Sequence, residues 1–153
     1  MLDHSTNGKA DEAVRRHWMG LLARAPEGRV AALSADLPRA FDWLRAPEIG
    51  AVMVRGRAGG TGGPFNLGEM TVTRCSLKLA DGTVGHGYVQ GRRKADAEAA
   101  ALVDALMQTD ASDQVRAAVL DPLETEETGR RAARAAKAAA TKVEFFTLVR
   151  GED

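Results

Sequence analysis

The sequence predicts an α+β fold: a small, mainly antiparallel sheet with helices before and after it, and an Ala-rich C-terminal helix. Three observations carry this. Apolar residues recur at helical spacing up to Pro38, alternate with polar ones between Phe41 and Gln90, and return to helical spacing after Gly91. At 153 residues the chain fits one domain, 1–153, since domains commonly hold about 100–150 residues.

Residues 1–9 are expected to be a flexible end. Residues 10–22 follow as an amphipathic helix with Val14, Trp18, Leu21 and Leu22 on its apolar side. Pro26 closes it and suits the first turn of a short second helix, whose Val30, Leu33 and Leu37 face inward until Pro38 stops it. Phe41 and Trp43 then alternate with polar neighbours, and after a break at Pro47 the run 50–55 reads as a buried strand.

The Gly-rich segment 56–68 reads as a long β–β connection. Residues 70–79 form the next strand, Asp81-Gly82 is hairpin turn chemistry, and 83–90 return with Val84, His86 and Tyr88 on one face. Met70 and Val72 have one parity but Cys75, Leu77 and Leu79 the other, which implies either a β-bulge near Thr73 or a sheet covered on both faces. After Gly91, the stripe Ala95, Ala99, Leu102, Val103 and Leu106 marks a helix ending near Gln108. A brief helical stretch, 115–120, leads to Asp121-Pro122-Leu123-Glu124, read as an acidic N-cap, a first-turn proline and a glutamate three residues after the cap. The helix it opens is expected to reach about Lys142, with a weak point at Gly129.

That helix carries Ala132, Ala136, Ala139 and Val143 at i, i+4, i+7 and i+11, opposite Arg130, Arg134 and Lys137. A thin alanine stripe permits close helix approach but buries little area, so it needs a neighbour. The tail holds Phe145, Phe146 and Leu148, two of the four phenylalanines of the chain, and is too apolar for a free end. Segment 122–153 is therefore expected to dock on a partner through Ala132, Ala136, Ala139, Phe145, Phe146 and Leu148.

Twenty-one Lys+Arg balance 21 Asp+Glu, so the chain lacks the global positive field of a nucleic-acid binder. No stretch approaches the ~20 apolar residues of a membrane span, and the N-terminus is polar, which points to a cytoplasmic protein. The single cysteine, Cys75, cannot form an intramolecular disulfide or hold a four-thiolate metal site by itself.

The most unusual part of the sequence runs from Arg55 to Glu69. Its glycines give backbone amides close access to an anion, with Arg55, Arg57 and Arg74 as flanking guanidinium forks. On this reading Arg57, Gly59, Gly60, Thr61, Gly62, Asn66, Glu69 and Arg74 contact a ligand or partner. The competing reading is a long connection whose glycines serve positive φ. It is not a P-loop, since no Lys-Ser or Lys-Thr follows, and Phe65 stands where a dinucleotide fingerprint needs its last glycine. His4, His17 and His86 lack metal spacing, and His86 on its strand reads as a packed or half-exposed ring. Glu48, Glu69 and Asp81 are candidate acids, but nothing pairs them, so no catalytic residue and no metal ligand is named.

Read in order, several pieces resemble one family. They are Arg16-His17-Trp18-Met19, Gly59-Gly60-Thr61-Gly62 with Phe65 and Gly68-Glu69, Thr71-Val72-Thr73-Arg74, and Asp81-Gly82-Thr83. Val89-Gln90-Gly91-Arg92, Ala101-Leu102-Val103-Asp104-Ala105-Leu106-Met107-Gln108 and Phe145-Phe146-Thr147-Leu148-Val149-Arg150-Gly151 complete the set. The ordered set is similar to PhnG, the G subunit of the bacterial carbon–phosphorus lyase core complex.

That resemblance implies a part in phosphonate use. The complex converts a purine nucleoside triphosphate and an alkylphosphonate such as methylphosphonate into α-D-ribose 1-methylphosphonate 5-triphosphate, releasing the base. The I subunit carries the nucleosidase-type chemistry, while G, H and a nucleotide-binding-like L protein direct the phosphonate to the ribose carbon. The resemblance implies the I subunit as direct partner, with the H and J subunits beside it; without that partner the terminal segment 122–153 is expected to drive self-association of the isolated chain, as a homodimer. ATP or GTP with Mg serves the complex; no cofactor is expected on this chain. The radical step that cleaves the carbon–phosphorus bond falls to another subunit with a cysteine-held cluster.

Overall fold

The computed structural model describes the backbone of residues 4–149 and the side chains of residues 11–142. The elements run α1 (His4–Arg24), α2 (Arg29–Leu33), β1 (Phe41–Arg57), a 3-10 turn (Ala58–Gly60), β2 (Pro64–Leu79) and β3 (Val84–Gln90). Then come α3 (Lys94–Leu106), α4 (Ser112–Val115), a π-helical turn (Arg116–Leu120) and α5 (Asp121–Val149). The sheet is antiparallel in the order β1-β2-β3, so the predicted α+β class holds.

The tightest packing joins β3 to α3. Gly85 and Gly87 alternate with His86 and Tyr88, so the glycines share one face of the strand. A Cβ at Gly85 would fall on the Ala101 carbonyl and on Ala105, and one at Gly87 on the Ala97 carbonyl. Ala97, Ala101 and Ala105 lie four residues apart on α3, and all three are buried. Glycine facing alanine lets the two backbones approach. Trp18, Leu21 and Leu22 of α1, Leu77 and Val89 of the sheet, Leu102 and Val103 of α3, and Leu120 and Leu123 further on complete the core.

Several expectations need correction. α1 begins at His4, within the stretch 1–9 expected to be flexible. Val14 was placed in the core but is 48% exposed, because α1 packs along Trp18, Leu21 and Leu22. Pro26 precedes α2 by a turn; Gly28, with φ of 79°, is the residue before the helix. The Asp96 carboxylate, from α3, accepts the amides of Gly28 at 2.8 Å and Ala31 at 3.1 Å, holding the free N–H groups of α2.

Pro47 does not break the strand. β1 is an edge strand with register shifts between Trp43 and Arg45 and between Arg45 and Glu48, where a missing N–H is tolerated. The phase change in β2 is not a bulge at Thr73, because the ladder to β3 runs from Val72↔Gln90 to Lys78↔Val84 without a shift. Thr73, Cys75 and Leu77 are buried on one face and Val72 on the other. Ala95 is exposed at the start of α3. Asp121 is not a cap: its φ of −62° and ψ of −45° are helical, and the chain passes from the π turn directly into α5. The wider turn sits just before Pro122, which has no N–H to give. α5 continues through Gly129 and runs to Val149, past the expected end near Lys142.

Two elements leave the core. From Glu48 to Arg57 and from Pro64 to Thr71 no residue is buried; the run 50–55, expected to be buried, lies here. β1 and β2 extend past the N-terminal end of α3 as a two-stranded arm of about 30 Å, at ~3.3 Å per residue. α5 leaves in turn: Leu123 is buried, yet every side chain of 131–142 is exposed. Of the expected docking segment 122–153, the first turns thus belong to the core. Phe145, Phe146 and Leu148 lie outside the described side chains.

Candidate functional site

The predicted loop residues sit along the arm, not around one point. The connection is only residues 58–63, and the rest of the Gly-rich segment 56–68 is strand. Arg57 pairs with Pro64 at the tip, where Gly59 and Gly60 take φ of 61° and 80°, values that favour glycine. The Gly62 amide closes the turn onto the Ala58 carbonyl at 2.8 Å, beside Thr61. Asn66 lies opposite Arg55, and Glu69 opposite Met53. Arg74 is at the base, where its Nε donates to Glu48 at 2.9 Å. Ten residues of strand separate it from Pro64, about 33 Å at ~3.3 Å each. Arg74 therefore does not flank the glycines.

The arm presents apolar surface. Ile49, Met53, Phe65 and Leu67 are 39%, 52%, 45% and 62% exposed. Ile49 pairs with Thr73 and so shares the face that α3 covers further down. Where the helix ends, that face continues bare. Leu67 lies over Gly56, at the register shift between Val54 and Arg55.

A second feature went unread in the sequence. The fully buried carboxylate of Asp104 on α3 accepts Arg15 Nε at 3.0 Å, Arg15 Nη2 at 2.8 Å, Trp18 Nε1 at 2.9 Å and the His86 amide at 2.9 Å. These four donors satisfy both oxygens, and the hydrogen bond from Arg15 holds its guanidinium pKa above the usual value. The signal was present: Asp104 is the one charged residue in the otherwise apolar stretch 99–107. A groove of about 500 Å³ lies alongside, lined by Arg15, Arg16, Met19, Gly20, His86 and Tyr88 among others. There the Ser76 hydroxyl meets His86 Nδ1 at 2.8 Å. No carboxylate contacts that ring among the described residues, so the pair lacks the third group a nucleophilic relay needs.

Cys75 is 2% exposed, its thiol donates to the Ala97 carbonyl at 3.1 Å, and burial pushes its pKa up to about 11. It is a packed thiol, not a nucleophile. Among the described residues, no three of His, Cys, Asp and Glu stand close enough to hold a metal ion, and no helix is long and apolar enough to cross a membrane.

The start of α5 is held by three contacts with α1 and α2: His17 with Glu124 at 3.0 Å, Arg24 with Glu127 at 2.9 Å, and Arg29 with Glu126 at 2.6 Å. They fix the direction in which the rest of the helix projects. Ala132, Ala136 and Ala139 are all exposed on it.

A family model described as "Phosphonate metabolism protein PhnG" matches residues 13–151. A curated relative from Rhizobium meliloti (strain 1021), named "Alpha-D-ribose 1-methylphosphonate 5-triphosphate synthase subunit PhnG", is 45% identical over 151 residues, spanning 97% of this chain and 96% of its own. With the match extending from the first helix past the described end of α5, the chain belongs to the PhnG family of phosphonate metabolism.

Proposed function

We propose that the chain is a non-autonomous subunit of an α-D-ribose 1-methylphosphonate 5-triphosphate synthase, the complex named for its 45% identical relative. In this reading the complex joins methylphosphonate to the ribose of ATP or GTP with loss of the purine, in the cytoplasm. The catalytic centre lies on the I subunit, and the H and J subunits complete the core. One observation carries the reading: two long elements, the β arm and α5 beyond Arg130, leave the core with exposed surface and no cover from the other described residues. Alone, these surfaces favour self-association. The described residues supply ion pairs and packing but no acid placed to protonate a leaving base, which such chemistry needs.

The arm tip residues Arg57, Gly59, Gly60, Thr61, Gly62 and Asn66 are proposed as partner or ligand contacts, with Glu69 further down the arm and Arg74 as a brace at its base. The test combines assembly with catalysis. The chain alone is expected to release no adenine from ATP, and the mixture with the I, H and L proteins and methylphosphonate to form the ribose product. Adenine release by this chain alone at the rate of the mixture would refute the assignment. Arg57→Ala separates two roles: assembly kept with activity lost puts the tip at the reacting site, whereas activity kept makes the arm a scaffold.

A further inference from the structure

Four guanidinium groups from two elements converge beside the end of β3. Arg24 of α1 and Arg130, Arg131 and Arg134 of α5 line an open pocket of about 280 Å³ together with Gln90 and Glu127. Glu127 is the one acidic lining residue; 16% exposed, it is engaged by Arg24 at 2.9 Å and by Arg131 at 3.1 Å. Those guanidinium groups hold its pKa below the usual carboxylate value. Arg130 and Arg134 form no ion pair with a carboxylate among the described residues. Four cations against one carboxylate leave an excess of three positive charges.

Positions 127, 130, 131 and 134 share one helix face, and like charges at three- and four-residue spacing destabilise a helix. The cluster persists because the Arg24–Glu127 and Arg29–Glu126 pairs fix α5 against α1 and α2. It is therefore built before any ligand arrives. Planar guanidinium forks match phosphoryl oxygens two at a time, and several forks around a small volume suit adjacent phosphoryl groups over a single carboxylate. We infer that this pocket binds the polyphosphate group of a phosphorylated small molecule. It stands apart from the arm tip, and Arg130 and Arg134 lie on the side of α5 opposite Ala132 and Ala136, so a subunit seated on the alanine stripe leaves the pocket open.

The experiment is calorimetric titration of the full chain with inorganic tripolyphosphate, repeated with Arg130→Gln/Arg134→Gln, with Arg134→Gln alone and with Arg16→Gln. Arg16 pairs with Glu12 outside the pocket. The wild type is expected to bind at one saturable site, the double variant about tenfold or more weaker, and the single variant in between, while Arg16→Gln matches the wild type. Arg134 stands on exposed helix, so its single variant keeps the fold. Absence of saturable binding, or equal binding by all four proteins, would overturn the inference. Tighter binding of a hexaglutamate peptide than of tripolyphosphate would also overturn it, in favour of an acidic protein segment. The readout needs no partner subunit, so its failure leaves the synthase assignment standing.

Discussion

Arg15 and Asp104 form a two-bond ion pair across 89 residues of sequence, at 3.0 and 2.8 Å. Asp104 also takes the Trp18 indole N–H and the His86 amide, so one buried carboxylate ties α1, α3 and β3 together. Removing it leaves a partly buried guanidinium and two donors without an acceptor. Asp104→Ala is expected to cost about 3 kcal/mol of stability, and Arg15→Gln about 1 kcal/mol, because the Trp18 indole and the His86 amide still hold the buried carboxylate when the cation is removed. Urea unfolding of both variants measures the difference; equal costs would show that the ion pair alone carries the junction and that the bonds from Trp18 and His86 add little.

Glycines in β3 and α5 are predicted to respond in opposite directions. Gly87→Ala places a methyl group on the Ala97 carbonyl and is expected to cost about 3 kcal/mol as α3 is pushed off the sheet. A Cβ at Gly129 meets nothing, so Gly129→Ala is expected to add about 1 kcal/mol through helix propensity. Thermal unfolding should show the first melting lower and the second higher than the wild type.

This contrast shows what the sequence could and could not reveal. The hairpin at Asp81-Gly82 and the helix after Gly91 were legible because turn chemistry and helical spacing are local. Val14 was misplaced since its spacing fits a core stripe, while only the tertiary position of α1 decides which side meets α3. The arm was misread for a related reason: its Val52 and Val54 have strand propensity, but whether a strand is covered depends on where the opposing helix ends. Pro47 looked like a break because edge position is a property of the sheet. The contacts of Asp104 join residues far apart in sequence, beyond the reach of periodicity. Family resemblance came from ordered motifs, not from any reactive constellation.

Acid should loosen the root of α5. The hydrogen bond from Arg29 lowers the Glu126 pKa, and that from Arg24 lowers the Glu127 pKa, both from an ordinary 4.5. A carboxylate with a lowered folded-state pKa stabilises the fold above its ordinary value and loses that contribution as pH falls through the lowered one. The stability difference between wild type and Glu126→Gln/Glu127→Gln should therefore be constant above about pH 5 and shrink below 4.5. Urea midpoints from pH 3 to 6 test this; a difference that grows toward acid would contradict it.

Cys75 should be inert while the protein is folded. With its pKa near 11, about one thiol in a thousand is ionised at pH 8, and burial blocks the approach of a reagent. Iodoacetamide labelling should be negligible in the native protein and complete in urea. Fast native labelling would mean that α3 lifts from the sheet far more readily than the Gly–Ala packing implies.

The most direct measurement is amide hydrogen exchange of the chain, free and in the assembled core complex. If the arm and the outer part of α5 are docking elements, backbone amides of residues 48–57, 64–71 and 131–142 exchange quickly in the free chain and become protected on assembly. Unchanged exchange in all three segments, with new protection confined to the α1–β3 groove or nowhere, would contradict the assignment of these projections as the surfaces that join the complex.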